Sequence, residues 1–427
     1  MASTLALPLL AALALTAVPA RAADLALSGF GSAGYARSDQ PYDYQRFISE
    51  DGTVKRDSIL GLQLDAKFTP QWGATVQATL APSASSDSGW SAKPSWAFLS
   101  YRPSNDWLLR AGKLRVPLYL NSENMDVGAT FDYARLPAEM YSIAPTTDFT
   151  GASFSKSWSG DAGDLALDGY WGRANMDWRF HMRDGVPGQI PAGPLYTSVK
   201  TEAKGLVLTL QRGESRYRAG YHVTDTKRAD GAPLAQTFPF VELVPHSGIG
   251  MYLAAGPGVP TIERVKATVF SAGADVALEH DVRLVGEVFR RRVQDMQIGP
   301  DSKGGYLSAL KKVGAWTPYA TYARLLSSAP VRQLYQAVNQ NSVPGFLPGA
   351  PVINASQRAA ADGIPAYDQY SIALGTSYAL SPTSKIKAEL LHVHIGDMSS
   401  MIDPPSGGAG VRDQNIRVLS LSYSFVF

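Results

Sequence analysis

The chain has 427 residues, with 39 Lys+Arg against 37 Asp+Glu, a formal charge of +2 and no cysteine. That balance gives no basic excess for nucleic acid, and without cysteine there is no disulfide framework. Charged residues make up only 18% of the chain while 20 Tyr, 8 Trp and 39 Gly are present, too little charge for a water-facing surface and suited to an aromatic and aliphatic outer belt.

The chain opens on an apolar run, Leu5 to Val18, followed by Ala20-Arg21-Ala22. The run is too short to span a bilayer as a helix and suits a signal segment, residues 1–22, cleaved after Ala22. No later run of 18 apolar residues exists, which excludes a helical membrane domain. Residues 23–427 then read as one domain. Leu25 to Arg37 begins a series of segments with a two-residue period. Leu60, Leu62, Leu64, Ala66 and Phe68 alternate with Gly61, Gln63, Asp65 and Lys67; Ala74, Val76, Ala78 and Leu80 alternate with Thr75, Gln77 and Thr79. One apolar and one wet face per strand is the pattern of a membrane barrel.

Further segments follow at Ala97–Tyr101, around Leu109 and Ala111, Phe149–Trp158, Leu165–Ala174, Val199–Gln211, Ser215–Asp225, Val265–Leu278, Val282–Gln294, Tyr306–Ala315, Tyr319–Leu325, Tyr370–Leu380, Lys385–His394 and Ile416–Phe427. About sixteen strands result. Short connections such as Pro70-Gln71 and Ser381-Pro382-Thr383 alternate with long ones rich in Gly, Pro, Asn and Asp. The expected fold is all-β: a transmembrane antiparallel barrel of about 16 strands, with short periplasmic turns and long outer loops. Trp72, Trp107 and Trp316 lie at short turns, where an aromatic girdle belongs.

The final strand places Leu421, Tyr423, Phe425 and Phe427 on one face and Ser420, Ser422, Ser424 and Val426 on the other. An open edge of this kind invites aggregation, whereas a closed barrel pairs it on both sides. Residues 117–148 form a long connection that mixes Leu118, Leu120, Met125, Val127, Phe131, Leu136 and Met140 with acids. A solvated loop does not need those apolar anchors, so this third long loop is expected to fold inward and present Glu123, Asp126, Asp132 and Glu139 to the lumen. Strand phase turns Arg216, Arg218, Arg283, Lys385, Lys387 and Lys67 inward, because a charge at the lipid midplane costs roughly 2–4 kcal/mol. Arg110, Lys113 and Arg115 do not all share one phase, which suggests a bulge or a strand exit near Gly112-Lys113.

Three stretches resemble the 16-stranded proteobacterial porins: Ser28-Gly-Phe-Gly-Ser-Ala-Gly-Tyr35, Arg110-Ala-Gly-Lys-Leu-Arg-Val-Pro117 with its loop, and the terminal Phe427. The resemblance implies a water-filled outer-membrane channel for passive diffusion of small hydrophilic solutes and ions, a homotrimer, and Tyr423, Phe425 and Phe427 as a signal to the barrel-assembly machinery. The constriction would comprise Arg110, Lys113, Arg115, Glu123, Asp126, Asp132, Arg135, Glu139, Arg216, Arg218 and Arg283. A substrate-selective channel for an anionic or sugar-like solute is the alternative, with a barrel enzyme or adhesin behind it. No cofactor, metal or catalysed reaction is expected. Gly29-Phe-Gly31-Ser-Ala-Gly34 matches a dinucleotide-binding spacing without the helix that motif requires, and the His392/His394 pair has no evident third metal ligand.

Overall fold

A computed structural model describes residues 24–408 and 410–427; the signal segment expected over residues 1–22 lies outside the described residues. Sixteen antiparallel strands close on themselves in chain order. They are β1 (Asp24–Ser38), β2 (Ile59–Lys67), β3 (Trp72–Pro82), β4 (Trp90–Ser104), β5 (Trp107–Arg115), β6 (Asp148–Gly160), β7 (Gly163–Met182) and β8 (Gly193–Arg212). The second half comprises β9 (Ser215–Arg228), β10 (Val265–Ala277), β11 (Val282–Val293), β12 (Ser302–Lys311), β13 (Trp316–Ser327), β14 (Tyr367–Ser381), β15 (Ser384–Ser399) and β16 (Gln414–Val426).

The seam is the pairing of β1 with β16, from Phe30↔Val426 to Ser38↔Val418. Here the glycine-rich start of the chain finds its use. A Cβ on Gly29 would lie 2.4 Å from the Phe427 ring, and one on Gly31 2.7 Å from the Phe425 ring. Those rings stack in a row, with Tyr423–Phe425 centroids 5.7 Å apart and Phe425–Phe427 6.3 Å apart. The glycine pattern therefore seats the terminal aromatic ladder rather than a dinucleotide.

Alternation divides the wall as expected. Leu60, Leu62, Leu64, Val76, Leu80, Leu99, Leu206, Leu307, Leu374 and Leu421 are exposed on the outer face, where the ladder pairs the backbone and apolar side chains can meet lipid. No helix among the described residues is long and apolar enough to cross a membrane. At the short-turn end Trp72 stacks on Tyr101 at 4.5 Å, Trp316 packs against Tyr378 at 4.6 Å and Trp107 against Phe154 at 6.1 Å, forming the girdle. On the inner face Gly112, Gly151 and Gly172 stand side by side in register. A Cβ on Gly151 would come 2.1 Å from the Trp171 carbonyl oxygen. Backbone cannot yield as a side-chain tip does, so Gly151→Val should destabilise the barrel by about 1–3 kcal/mol, measured as denaturant unfolding in detergent micelles.

Two features go beyond the sequence reading. Strands β7 and β8 are 20 residues each, far more than the roughly 9–11 needed to cross, so their hairpin projects past the wall at the long-loop end. The loops also carry structure of their own. The fifth holds two small hairpins, Leu234–Ala235 with Thr261–Ile262 and Phe240–Glu242 with Gly250–Tyr252. The seventh holds helices α2 (Ala329–Gln340) and α3 (Ala350–Asp362), besides the short α1 (Ala138–Tyr141) of the third. Phe238, Val331, Val338, Ala361, Ile364 and Met398 form a separate apolar core among these outer loops.

Candidate functional site: the inward loop and the passage beside it

The third long loop, residues 116–147, folds into the barrel as its apolar content requires. Leu118, Tyr119, Leu120, Leu136, Met140, Tyr141 and Ile143 are buried in one core with Val269, Val285, Phe289, Tyr306, Leu310 and Tyr319 of the inner wall. Polar groups fix its path. Ser271 donates to the Leu118 carbonyl at 2.8 Å, and Arg218 to that of Pro117 at 3.1 Å. Glu287 of β11, only 3% exposed, accepts the Leu120 N–H at 2.7 Å, the Tyr306 hydroxyl at 2.8 Å and the Tyr141 hydroxyl. The loop then reaches the opposite wall. A Cβ on Gly128 would lie 2.5 Å from the Ser424 hydroxyl and 2.6 Å from that of Ser32. Lys387 of β15 donates to the carbonyls of Gly128 at 2.5 Å and Tyr133 at 2.9 Å, its ammonium 4.2 Å from the Phe131 ring centre. The return limb is held by Tyr319, which accepts the Ala134 N–H at 2.8 Å and donates to Glu389 at 2.9 Å, and by Arg291, which donates to the Ile143 carbonyl at 2.8 Å.

The residues expected at a constriction divide into three groups. Some meet at the loop: Arg218 lies 4.0 Å from Glu123, Arg115 pairs with Asp126, and Lys385 with Asp132 at 2.8 Å. Arg135 is locked to Asp57 of the first long loop and to Ser420 at 3.2 Å. Others lie apart. Arg283 is the second residue of β11 and Arg216 the second of β9, both beside short turns, with Arg283 bound to Asp275 at 2.7 Å. Arg110 lies 5.6 Å over the Phe98 ring in the short-turn half of β5. Lys113 pairs with Asp148 at 2.9 Å. The ladder runs one to one through Gly112, which takes φ 138°, so no bulge lies there; β5 instead ends at Arg115, where the chain leaves for the loop and Arg115 meets Asp126.

Glu139 is a correction. It does not face the lumen: it is 1% exposed and accepts from Gln369 at 2.9 Å, because α1 turns it toward the wall while Met140 and Tyr141 enter the core. Burial raises its pKa. The stability it contributes as a neutral acid is complete below the ordinary Glu range and is lost as pH climbs through the raised value. Glu139→Gln should therefore match the parent's thermal stability at pH 4 and exceed it at pH 8; a loss at pH 8 would show that the carboxylate charge anchors the loop. The His392/His394 pair lies toward the long-loop end of β15. Both take the outer phase of β15, with His394 packed 5.0 Å from Tyr370, and no group of three metal-ligating side chains occurs among the described residues.

Beside the loop lies a cavity of about 580 Å³ between the first long loop, residues 39–58, and the inner wall near Ser32, Ser422 and Ser424. Its lining carries Arg46, Lys55, Arg56, Arg135, Arg179 and Lys387 against Asp57, Asp126 and Asp403, and Asp87 pairs with both Arg46 and Arg179 beside it, which leaves an excess of two cations. Arg56 has no ion pair among the described residues; it donates to Gln45 at 2.9 Å and Ser142 at 3.3 Å. Burial and the nearby Arg135 guanidinium bring it down to about 10, still fully charged at neutral pH. Lys55 is held by the carbonyls of Asp87 at 2.8 Å and Ser88 at 3.1 Å. Asp87 itself is held at about 2, since hydrogen bonds from Arg179, Arg46 and Tyr196 outweigh its burial. Arg46, Lys55, Arg56 and Arg179 were absent from the expected site. The signal was available: Tyr44 and Ile48, both 0% exposed, mark the first loop as inward-folding by the same test that singles out the third.

No protein-family model and no curated protein matches the chain. Among solved structures it is similar to a loop-deletion form of OmpT, an outer membrane protein of Vibrio cholerae, at 12% identity and TM-score 0.53, covering 95% of this chain and 100% of that one. It is also similar to the in-vitro folded trimer form of that OmpT, at 11%, TM-score 0.51, 95% and 99%. A third is the outer membrane channel DcaP of Acinetobacter baumannii, at 12%, TM-score 0.50, 94% and 97%. The chain shares the barrel fold of these outer-membrane proteins. An inward third loop between β5 and β6, held to both sides of a 16-stranded wall, is what this chain builds within it.

Proposed function

We propose that the protein is a passive outer-membrane channel for small hydrophilic solutes, with a preference for anions, and that it catalyses no reaction. The observation that carries this reading is the cationic excess along the cavity beside the inward loop. Charges facing each other across a narrow, partly desolvated passage act far more strongly than in bulk water, so the sign of the local excess sets ion preference. The chain's total charge of +2 says little about it. By the same reading the barrel assembles as a homotrimer, as one form of its structural neighbour does, and Tyr423, Phe425 and Phe427 serve as the insertion signal once residues 1–22 are removed. The test is single-channel current of refolded protein in a planar bilayer under a KCl gradient. Stepwise conductance with a reversal potential of anion-preferring sign is expected. A folded barrel without conductance would overturn the channel reading, and a cation-preferring sign would overturn the selectivity alone.

A further inference from the structure

We propose that the outer face of β10–β12 binds one phosphate-bearing lipid, its headgroup on a cluster of cations at the long-loop end and an acyl chain in a groove below. In register, Phe270 of β10 stands opposite Arg290 of β11, and Arg290 opposite Lys303 of β12. Arg292 stands opposite Thr268, two residues from Lys266. Arg290 and Arg292 alternate with the buried Phe289 and Arg291, which places them on the outside. Like charges directly across a ladder destabilise it, and Arg290 and Lys303 occupy such a pair, in which Asp301 answers Arg290 and leaves Lys303 without a counter-charge. Acids stand nearby but are engaged: Asp301 binds Arg290 at 2.7 Å, and Asp225, opposite Lys266 in register, binds Arg264 at 3.3 Å. Lys266, Arg292 and Lys303 have no ion pair among the described residues.

Below them on the same face runs a groove of about 610 Å³, floored by Ala272, Ala274 and Gly286 and walled by Tyr217, Val288 and Leu307. Val288 and Leu307 are 56% and 61% exposed, so the groove opens to the medium around the barrel, which is hydrocarbon if the barrel lies in a membrane. Arg290 stands two residues, roughly 6–7 Å, beyond Val288. An apolar channel that ends below Arg290 and the unpaired Lys303 and Arg292 fits a chain ending in a phosphate. Basic clusters at headgroup level attract anionic lipids with about one decade of affinity or less per cation.

The inference rests on the membrane reading, not on conductance, so stepwise current recorded from the same preparation reports the channel separately. Refolded protein in phosphate-free detergent would be titrated with bisphosphorylated lipid A, and with the same lipid stripped of its phosphates, and bound lipid counted by native mass spectrometry. The parent should favour the phosphorylated lipid. A Lys266→Gln/Arg292→Gln/Lys303→Gln variant should bind it on the order of a hundredfold more weakly with unchanged heat-modified gel mobility. Ala272→Trp, which fills the groove without touching charge, should weaken both lipids. Equal binding by parent and triple variant would overturn the site. Displacement of the lipid by millimolar inorganic phosphate would assign the cations to a free anion instead. A triple variant that changes oligomeric state but not lipid binding would make this face a protein interface and likewise overturn it.

Discussion

Replacing Glu287 by leucine is expected to loosen the inward loop, raising single-channel conductance and its open-channel noise while leaving the barrel assembled. The carboxylate is the one acceptor shared by three donors from different places: the Leu120 N–H on the entering limb, the Tyr141 hydroxyl on the returning limb and the Tyr306 hydroxyl on the wall. With it gone, the Leu120 N–H and the Tyr306 hydroxyl lose their acceptor, and the Tyr141 hydroxyl keeps only the bonds it accepts from Asn121, in a site crowded by Tyr119 and Phe289. Each orphaned donor costs roughly 1–3 kcal/mol, so the loss is on the order of 3 kcal/mol or more, concentrated on the loop. The ladder itself gains a leucine on a lumen position and keeps every backbone bond. A control separates loosening from charge: Glu287→Gln retains an acceptor for one tyrosine and should show an intermediate effect. Unchanged conductance and noise in the leucine variant would mean that the apolar anchors Leu118, Leu120 and Met140 hold the loop without it.

The barrel was readable in the sequence because closure in lipid imposes a period of two on every strand and leaves few ways to satisfy it. Leu60 to Phe68 and Tyr217 to Val223 have their expected outward residues, and the lumen phase of Arg216, Arg218, Arg283, Lys385 and Lys387 holds in register with their neighbours. The inward loop was legible for a related reason: apolar side chains in a long connection must be buried somewhere. What period cannot show is which charge meets which. Arg283 has the correct phase but stands beside a short turn and pairs with Asp275, because phase fixes the face and not the height. Glu139 was misplaced because a four-residue helix rotates successive side chains by about 100°, a detail no two-residue rule contains. The helices of the seventh loop escaped notice since Ala329–Gln340 and Ala350–Asp362 form within segments whose Gly and Pro content reads as loop. The cationic passage was missed because it draws Arg46, Lys55 and Arg56 from the first loop and Arg179 from the projecting end of β7, brought together only by closure.

Reversing two of those charges should reverse the ion preference. Lys55 and Arg56 lie on the first long loop and bond chiefly to carbonyl, amide and hydroxyl groups, so changing them breaks no ion pair. Lys55→Gln/Arg56→Gln leaves the passage balanced, and Lys55→Glu/Arg56→Glu leaves it with two acids in excess of its cations. Reversal potentials should therefore shrink in the first variant and change sign in the second. The measurement belongs at low ionic strength, where the Debye length is about 10 Å at 0.1 M and spans the passage; at 1 M, with about 3 Å, all variants should converge. Neutralising Arg216 and Arg283 serves as the comparison. They stand beside the short turns, and Arg283 is already answered by Asp275, so their loss should move the reversal potential much less. If instead that pair dominates and the Lys55/Arg56 variants behave like the parent, selectivity is set at the short-turn mouth and the cavity beside the inward loop is only a vestibule.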